Sequence, residues 1–323
     1  MTIREALVQA GIGLKQAGII TASLDASLLL AEVLNVSHTT LIASADEPLS
    51  QEAHTVFNVL IGRRLKGECT AYILGKKEFW GLEFLVNFSV LVPRPDTETL
   101  VEAAITICSE RLAADNEAAH NALRVLDLCT GSGAVAISLK HEMPQMDVWA
   151  TDLSAEALET AKTNAERLLR DGKIHFYQGD LYNALPEKNH KSHNGGCPSL
   201  ITHCSSLADN SSFPIPHPEF SLIVSNPPYI PSDAIKTLPD EIKKEPLIAL
   251  DGGKSGLDII GRIIDGAPEY LTPGGTLAME ADPRQMEKII VLLEKRRFSN
   301  IIKYKDLSGQ ERVITGKYNQ IER

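Results

Sequence analysis

The stretch Leu123-Arg124-Val125-Leu126-Asp127-Leu128-Cys129-Thr130-Gly131-Ser132-Gly133-Ala134 decides the fold. An apolar strand, Leu123–Leu128, runs into a glycine loop, and a helix follows from about Gly133 to Glu142. The same alternation continues downstream. A strand over Asp147–Thr151 ends at Asp152 and leads to a helix over Ala155–Leu169. A strand over Ile174–Gln178 ends near Asp180, and one over Phe220–Ser225 ends at Asn226. A helix from about Leu257 to Leu271 precedes a strand over Thr276–Glu280, and two further strands are expected from Ile301, the last over Glu311–Lys317. This pattern predicts an α/β fold with an open, mainly parallel sheet and helices on both faces. Ligands of such sheets sit beyond the carboxyl ends of the strands. Asp127, Asp152, Asp180 and Asn226 are all expected there, and their convergence says more than any one of them.

The glycine loop admits two ligands. Glycines let a ligand approach the backbone, and the helix N-terminus offers free N–H groups. Gly131-x-Gly133-x-x-Ala136 fits a dinucleotide fingerprint, with Asp152 19 residues after Gly133, where a ribose-binding acid belongs. Asp127 at the strand mouth separates the readings. A carboxylate there repels a pyrophosphate and suits a cationic amino acid or sulfonium group, which favours S-adenosylmethionine over NAD.

Asn226-Pro227-Pro228-Tyr229 follows the apolar run Leu222-Ile223-Val224-Ser225. Two prolines fix an extended turn and carry no N–H, so their carbonyls act as acceptors only. With the Asn226 side-chain oxygen they form an acceptor set suited to a planar NH2 group, and Tyr229 offers a flat face for stacking. A delocalised amide or amino nitrogen is a poor nucleophile, so orientation towards an electrophile supplies most of the catalysis.

The flanking segments read differently. Residues 1 to about 70 form a small helical unit. Thr2 and Glu5 make a capping box, a second helix through Asp25–Leu34 stops at Asn35, and a third begins near Ser50. Glu78–Trp80 and Glu83–Val86 flank Gly81-Leu82, a two-residue hairpin turn with Gly at its first central position. Pro93-Arg94-Pro95 makes an extended strap, and Asp96 is expected to cap a helix through Leu112. Residues 187–217, rich in Ser, His, Pro and Asn, read as a disordered surface insertion. His190, His193, Cys197, His203 and Cys204 lack the spacing of a known zinc module, so no metal is assigned.

Composition bounds the function. Of 323 residues, 43% are hydrophobic and 23% charged, as in a soluble globular protein, and no apolar run approaches a membrane span. The N-terminal residues lack the apolar core of a signal peptide, and five scattered cysteines suit a reducing compartment, so a cytoplasmic location is expected. A net charge of -10 argues against stable nucleic-acid binding and against an anionic membrane.

DLCTGSGA, ATDLS, QGDLY and FSLIVSNPPYI resemble a class I S-adenosylmethionine-dependent methyltransferase. YILGKKEFWGLEF, LVPRPDTETLVE and EPLIALDGGKSGLDII resemble the family that methylates a glutamine of peptide chain release factors, the HemK/PrmC type. The resemblance spans nearly the whole chain and fails only over 187–217. It implies a mostly parallel Rossmann-like sheet with an antiparallel last strand. It further implies a helical substrate-recognition domain over 1–71, a hairpin linker over 72–95 and a catalytic domain over 96–323. The implied cofactor is S-adenosyl-L-methionine and the implied partner a class 1 release factor, methylated on the glutamine N5 of its Gly-Gly-Gln motif by a monomeric enzyme. By position, Asp127 and the loop Cys129, Thr130, Gly131, Ser132 and Gly133 would take the methionine part of the cofactor. Asp152 would take both ribose hydroxyls, and Asp180 and Leu181 the adenine. Asn226 would touch cofactor and substrate, and Asn226, Pro227, Pro228 and Tyr229 would hold the substrate amide. Cys129 stands where many members have glycine. Ala281-Asp282-Pro283 follows Glu280 where the family usually has a glycine, leaving Glu280 between core, rim and function. The rivals are a DNA or RNA amino-methyltransferase, which shares Asn226–Tyr229 but should add a basic region, an enzyme acting on another protein glutamine, and a non-catalytic cofactor-binding scaffold.

Overall fold

A computed structural model describes residues 1–114, 123–170, 173–186 and 219–319. The insertion expected over 187–217 lies outside the described residues.

The chain begins with α1 (Ile3–Gln16), and its capping box forms as predicted: Glu5 N donates to Thr2 Oγ1 at 3.2 Å, and Thr2 N donates to Glu5 Oε2 at 2.9 Å. Helix α2 (Ala22–Leu34) stops at Asn35, which adopts a left-handed φ of 52°. Then come α3 (His38–Ala43), α4 (Gln51–Leu65, capped by Ser50) and α5 (Thr70–Leu74). The sequence reading missed α3 and α5, because six and five residues are too few to display a helical period. Leu14, Leu29, Leu30 and Phe57 fill one core between these helices.

Strands β1 (Lys76–Phe79) and β2 (Leu82–Leu85) form the hairpin. Its turn is Trp80-Gly81, one residue earlier than expected, since Phe79 pairs with Leu82. Both central residues have positive φ, 54° and 68°, so Gly81 fills the second position, where a primed turn also favours glycine. Phe79 and Phe84 anchor the hairpin in the core of the sheet unit. The cap predicted at Asp96 does not form. Arg94 takes the cap position of a 3₁₀ turn, Pro95–Thr97, that feeds α6 (Glu98–Ala114). Proline suits the first helical position, so the turn starts ahead of Asp96, which pairs with Arg312 at 3.1 Å.

The sheet unit follows as β3 (Arg124–Leu128), α7 (Ala134–Glu142), β4 (Asp147–Asp152), α8 (Ala155–Leu168), β5 (Ile174–Gln178) and β6 (Phe220–Ser225). Three helical turns, α9 (Ser232–Ile235), α10 (Asp240–Lys243) and α11 (Leu247–Leu250), precede α12 (Asp258–Tyr270), β7 (Leu271–Glu280), α13 (Met286–Lys295), β8 (Phe298–Lys305) and β9 (Glu311–Tyr318). The seven strands run in the order β5-β4-β3-β6-β7-β9-β8. The first five are parallel, and β9 is antiparallel to both of its neighbours, as expected of the last strand. Strand residues alternate between two cores. Val125, Val148, Leu222 and Val224 enter one face; Leu126, Leu128, Ile223 and Leu277 enter the other. A sheet buried on both faces needs such apolar runs. The strand order reverses at β3, so the crevice between the ends of β3 and β6 is where a ligand belongs.

The α9–α11 segment also bridges the two units. Arg64 of α4 is buried and holds Asp25 at 2.8 Å and Glu241 of α10 at 2.6 Å. Lys244 reaches the Lys66 carbonyl, and Arg94 of the strap pairs with the buried Glu245.

Candidate active site

The loop after β3 is shaped by three left-handed residues, Cys129 (φ 61°), Gly131 (57°) and Gly133 (81°). A non-glycine residue in that region is uncommon, which explains why glycine suits position 129. Gly131 N donates to Asp152 Oδ2 at 2.8 Å, and Ser154 N donates to Asp152 Oδ1 at 2.9 Å. The Asp152 carboxylate is thus held by one backbone N–H on each oxygen, with further lone pairs left to accept. Burial pushes its pKa up, against the pull of those bonds. Asp127 is 1% exposed, and its Oδ2 accepts from Thr130 Oγ1 at 2.7 Å and from Ala136 N at 3.2 Å. Burial raises its pKa to about 7; a cation beside it would restore the charge. Burial also pushes the Cys129 thiol up, which removes its nucleophilic form at neutral pH.

Asp127, Cys129, Thr130, Gly131, Ser132, Asp152, Asp180, Leu181, Asn226 and Pro228 all line one cavity at the strand ends. Gly133 does not. It caps α7, and a Cβ there would stand 2.8 Å from Ile137 Cδ1, so its place is in packing. Asp180 sits at the rim, its Oδ2 2.6 Å from Arg262.

Pro227 and Tyr229 line a second, adjoining cavity with Arg94, Pro95, Asp96 and Glu280. Leu91, Asn226 and Ala249 line both cavities. Asn226 Nδ2 donates to Thr97 Oγ1 at 3.1 Å. Tyr229 is fixed at two points: its Oη donates to Glu280 Oε1 at 3.0 Å, and its carbonyl accepts from Gln285 Nε2 at 2.9 Å. Burial raises the Tyr229 hydroxyl well above its usual range, so it stays protonated and donates. Glu280, left open by the sequence, is 1% exposed at the end of β7 and holds Tyr229.

Sequence reasoning missed Leu91, Thr97, Ala249 and Gln285. The strap motif around Thr97 was visible, but only folding places it beside a residue 129 positions away. Among the described residues no group of three or more His, Cys, Asp or Glu could hold a metal ion, and no helix is long and apolar enough to cross a membrane.

Two family descriptions match the chain: "PrmC N-terminal domain" over residues 5–75 and "Methyltransferase domain" over residues 125–206. A release factor glutamine methyltransferase of Geobacter sulfurreducens is 33% identical over 98% of this chain and 96% of its own length. Another, from Vibrio cholerae, is 36% identical over 98% and 97%, and one from Bradyrhizobium diazoefficiens is 39% identical over 87% and 82%. The chain belongs to the release factor glutamine methyltransferase family. It is therefore a methyltransferase, and the sheet unit carries the fold of that class. A solved structure titled "hMettl16 catalytic domain in complex with MAT2A 3'UTR hairpin 6" covers 81% of this chain and 82% of its own, with a TM-score of 0.50 at 13% identity, a likeness of fold alone.

Proposed function

We propose that this methyltransferase transfers the methyl group of S-adenosyl-L-methionine to the side-chain nitrogen, N5, of the glutamine in the Gly-Gly-Gln motif of a class 1 peptide chain release factor. The observation that carries the reading is Asn226, which stands in the wall common to both cavities.

The residues of the first cavity fit the cofactor. Asp152 has acceptor capacity left for the two ribose hydroxyls, Asp127 suits the cationic end of the methionine part, and the loop from Cys129 to Gly133 brings backbone close to it. Asp180 and Leu181, in the same lining, would meet the adenine. The bound cofactor supplies an electrophilic methyl group on sulfur. In the second cavity, Asn226 Oδ1 and the Pro227 carbonyl accept the two amide hydrogens of the glutamine, while Pro228 and Tyr229 fix the turn. Acceptors on both hydrogens raise electron density on the nitrogen and bias it towards a tetrahedral shape. Orientation and water exclusion then supply the rate. Methyl transfer first gives an N-protonated, cationic N-methylamide, a strong acid whose extra proton leaves to water without a dedicated base.

The division of labour follows. Residues 1–71 recognise the factor, 72–95 link, and 96–323 carry the chemistry in a monomeric cytoplasmic enzyme. The names of the relatives and the acidic net charge of -10 support a protein substrate over nucleic acid. The test offers labelled S-adenosylmethionine with release factor, with its glutamine-substituted variant, and with DNA or RNA. Label on the intact factor alone is the expected result. Label on nucleic acid, or on the substituted factor, overturns the reading.

A further inference from the structure

Thr97 lines the first cavity and Glu280 the second, on either side of Asn226. The Asn226 amide can face the second cavity with its oxygen or with its NH2, and the two choices select opposite substrates. An oxygen accepts from the NH2 of a carboxamide. An NH2 donates to a carboxylate. The local hydrogen-bond polarity decides between them.

Thr97 is 3% exposed, and its hydroxyl lies 3.1 Å from Asn226 Nδ2. A hydroxyl has one proton to give. A buried acceptor in need of a proton is Glu280, 1% exposed, whose Oε1 is taken by Tyr229 and whose Oε2 has no hydrogen-bond partner among the described residues. The Thr97 hydroxyl interacts with this carboxylate and lowers its pKa, in opposition to the larger effect of burial. A buried carboxylate is a stronger acceptor than an amide oxygen, so the Thr97 proton turns to Glu280. The Thr97 lone pair then faces Asn226 and demands the amide NH2, which leaves Asn226 Oδ1 for the cavity.

Resting on the proposed function, we infer that Thr97 and Glu280 are positioning residues that lock the Asn226 amide with its oxygen towards the substrate cavity, so that the site takes glutamine and rejects glutamate. Glu280 acts on both ends of the turn, on Asn226 through Thr97 and on Tyr229 directly. The rejection is local: the other charged side chains of that lining are already paired, Arg94 with Glu245 and Asp96 with Arg312.

The test compares the wild-type enzyme with Thr97→Val and Thr97→Ser at saturating S-adenosylmethionine. Each is assayed for methylation of release factor, with the same factor carrying glutamate in place of the methylated glutamine as competitor. Thr97→Val keeps the volume but removes both halves of the lock, so the Asn226 amide turns freely. Its preference for glutamine factor over glutamate factor is expected to fall at least about tenfold, the worth of one misplaced donor–acceptor pair. Thr97→Ser keeps the hydroxyl and is expected to keep the preference. A loss of packing alone would weaken both factors equally. An unchanged preference in a folded Thr97→Val enzyme overturns the inference, and so does a Thr97→Ser enzyme that loses it. Both outcomes leave the proposed function standing, because the wild-type arm tests that separately. If Thr97→Val fails to fold, Glu280→Gln removes the charge that directs the Thr97 proton and should lower the same preference; an unchanged preference there again overturns it.

Discussion

Replacing Asp152 by alanine removes one carboxylate that the proposed function assigns to both ribose hydroxyls. Each Asp152 oxygen already accepts one backbone N–H, from Gly131 at 2.8 Å and from Ser154 at 2.9 Å. The carboxylate therefore arrives oriented, and each oxygen has capacity for one hydroxyl. Two hydrogen bonds to a charged acceptor contribute about 1.5–3 kcal/mol each, so their loss costs roughly 3–6 kcal/mol. At about 1.4 kcal/mol per factor of ten, Kd for S-adenosylmethionine should rise by about 10²–10⁴-fold. The variant also frees two backbone donors, which loosens the glycine loop, so titration calorimetry belongs well below the melting temperature, on protein with unchanged near-ultraviolet circular dichroism. An affinity within about threefold of wild type would refute the ribose assignment, since even one such bond exceeds that margin.

Three further outcomes are expected. Asn226→Ala should abolish methyl transfer to release factor while the fold survives; near-normal turnover would remove the shared-wall argument. Gly133→Ala should lower stability by about 1–3 kcal/mol in a denaturant titration, because φ is 81° and the new Cβ meets Ile137 at 2.8 Å and Ala161 at 3.2 Å. Asp127 should make cofactor-free stability fall as pH rises. Its folded pKa of about 7 lies above the ordinary carboxyl value, so the folded chain holds a proton that the unfolded chain has lost. The loss runs from about pH 4 to about pH 7, and Asp127→Asn should flatten it in thermal melts; identical slopes would refute the assignment.

Long elements were legible because periodicity and strand-end chemistry coincide in them. Phe220–Ser225 and Ile174–Gln178 fall where the sequence puts them, because buried strands are short apolar or alternating runs bounded by polar residues. The hairpin turn slipped by one residue because Trp80, not a typical turn residue, takes a positive φ. The cap at Asp96 failed because an acid near a helix start is a common signal that Pro95 pre-empted. Within the site, the glycine loop and Asn226–Tyr229 were visible as motifs. Thr97 and Glu280 were not, for their roles depend on contacts across 129 and 51 positions of chain. Gly133 shows the converse, a motif residue whose tight packing against Ile137 and Ala161 no motif announces.

The bridge between α4 and α10 bears on how such a chain can diverge. Arg64 satisfies Asp25 within the helical unit and Glu241 on the segment whose next turns wall both cavities. Recombination that exchanged residues 1–70 between relatives would carry Asp25 and Arg64 together but leave Glu241 behind. The boundary that looks natural in sequence is therefore not a neutral crossover point. Drift in the helical unit is coupled to drift in the segment that walls the cavities, and the paired residues are best inherited as one block.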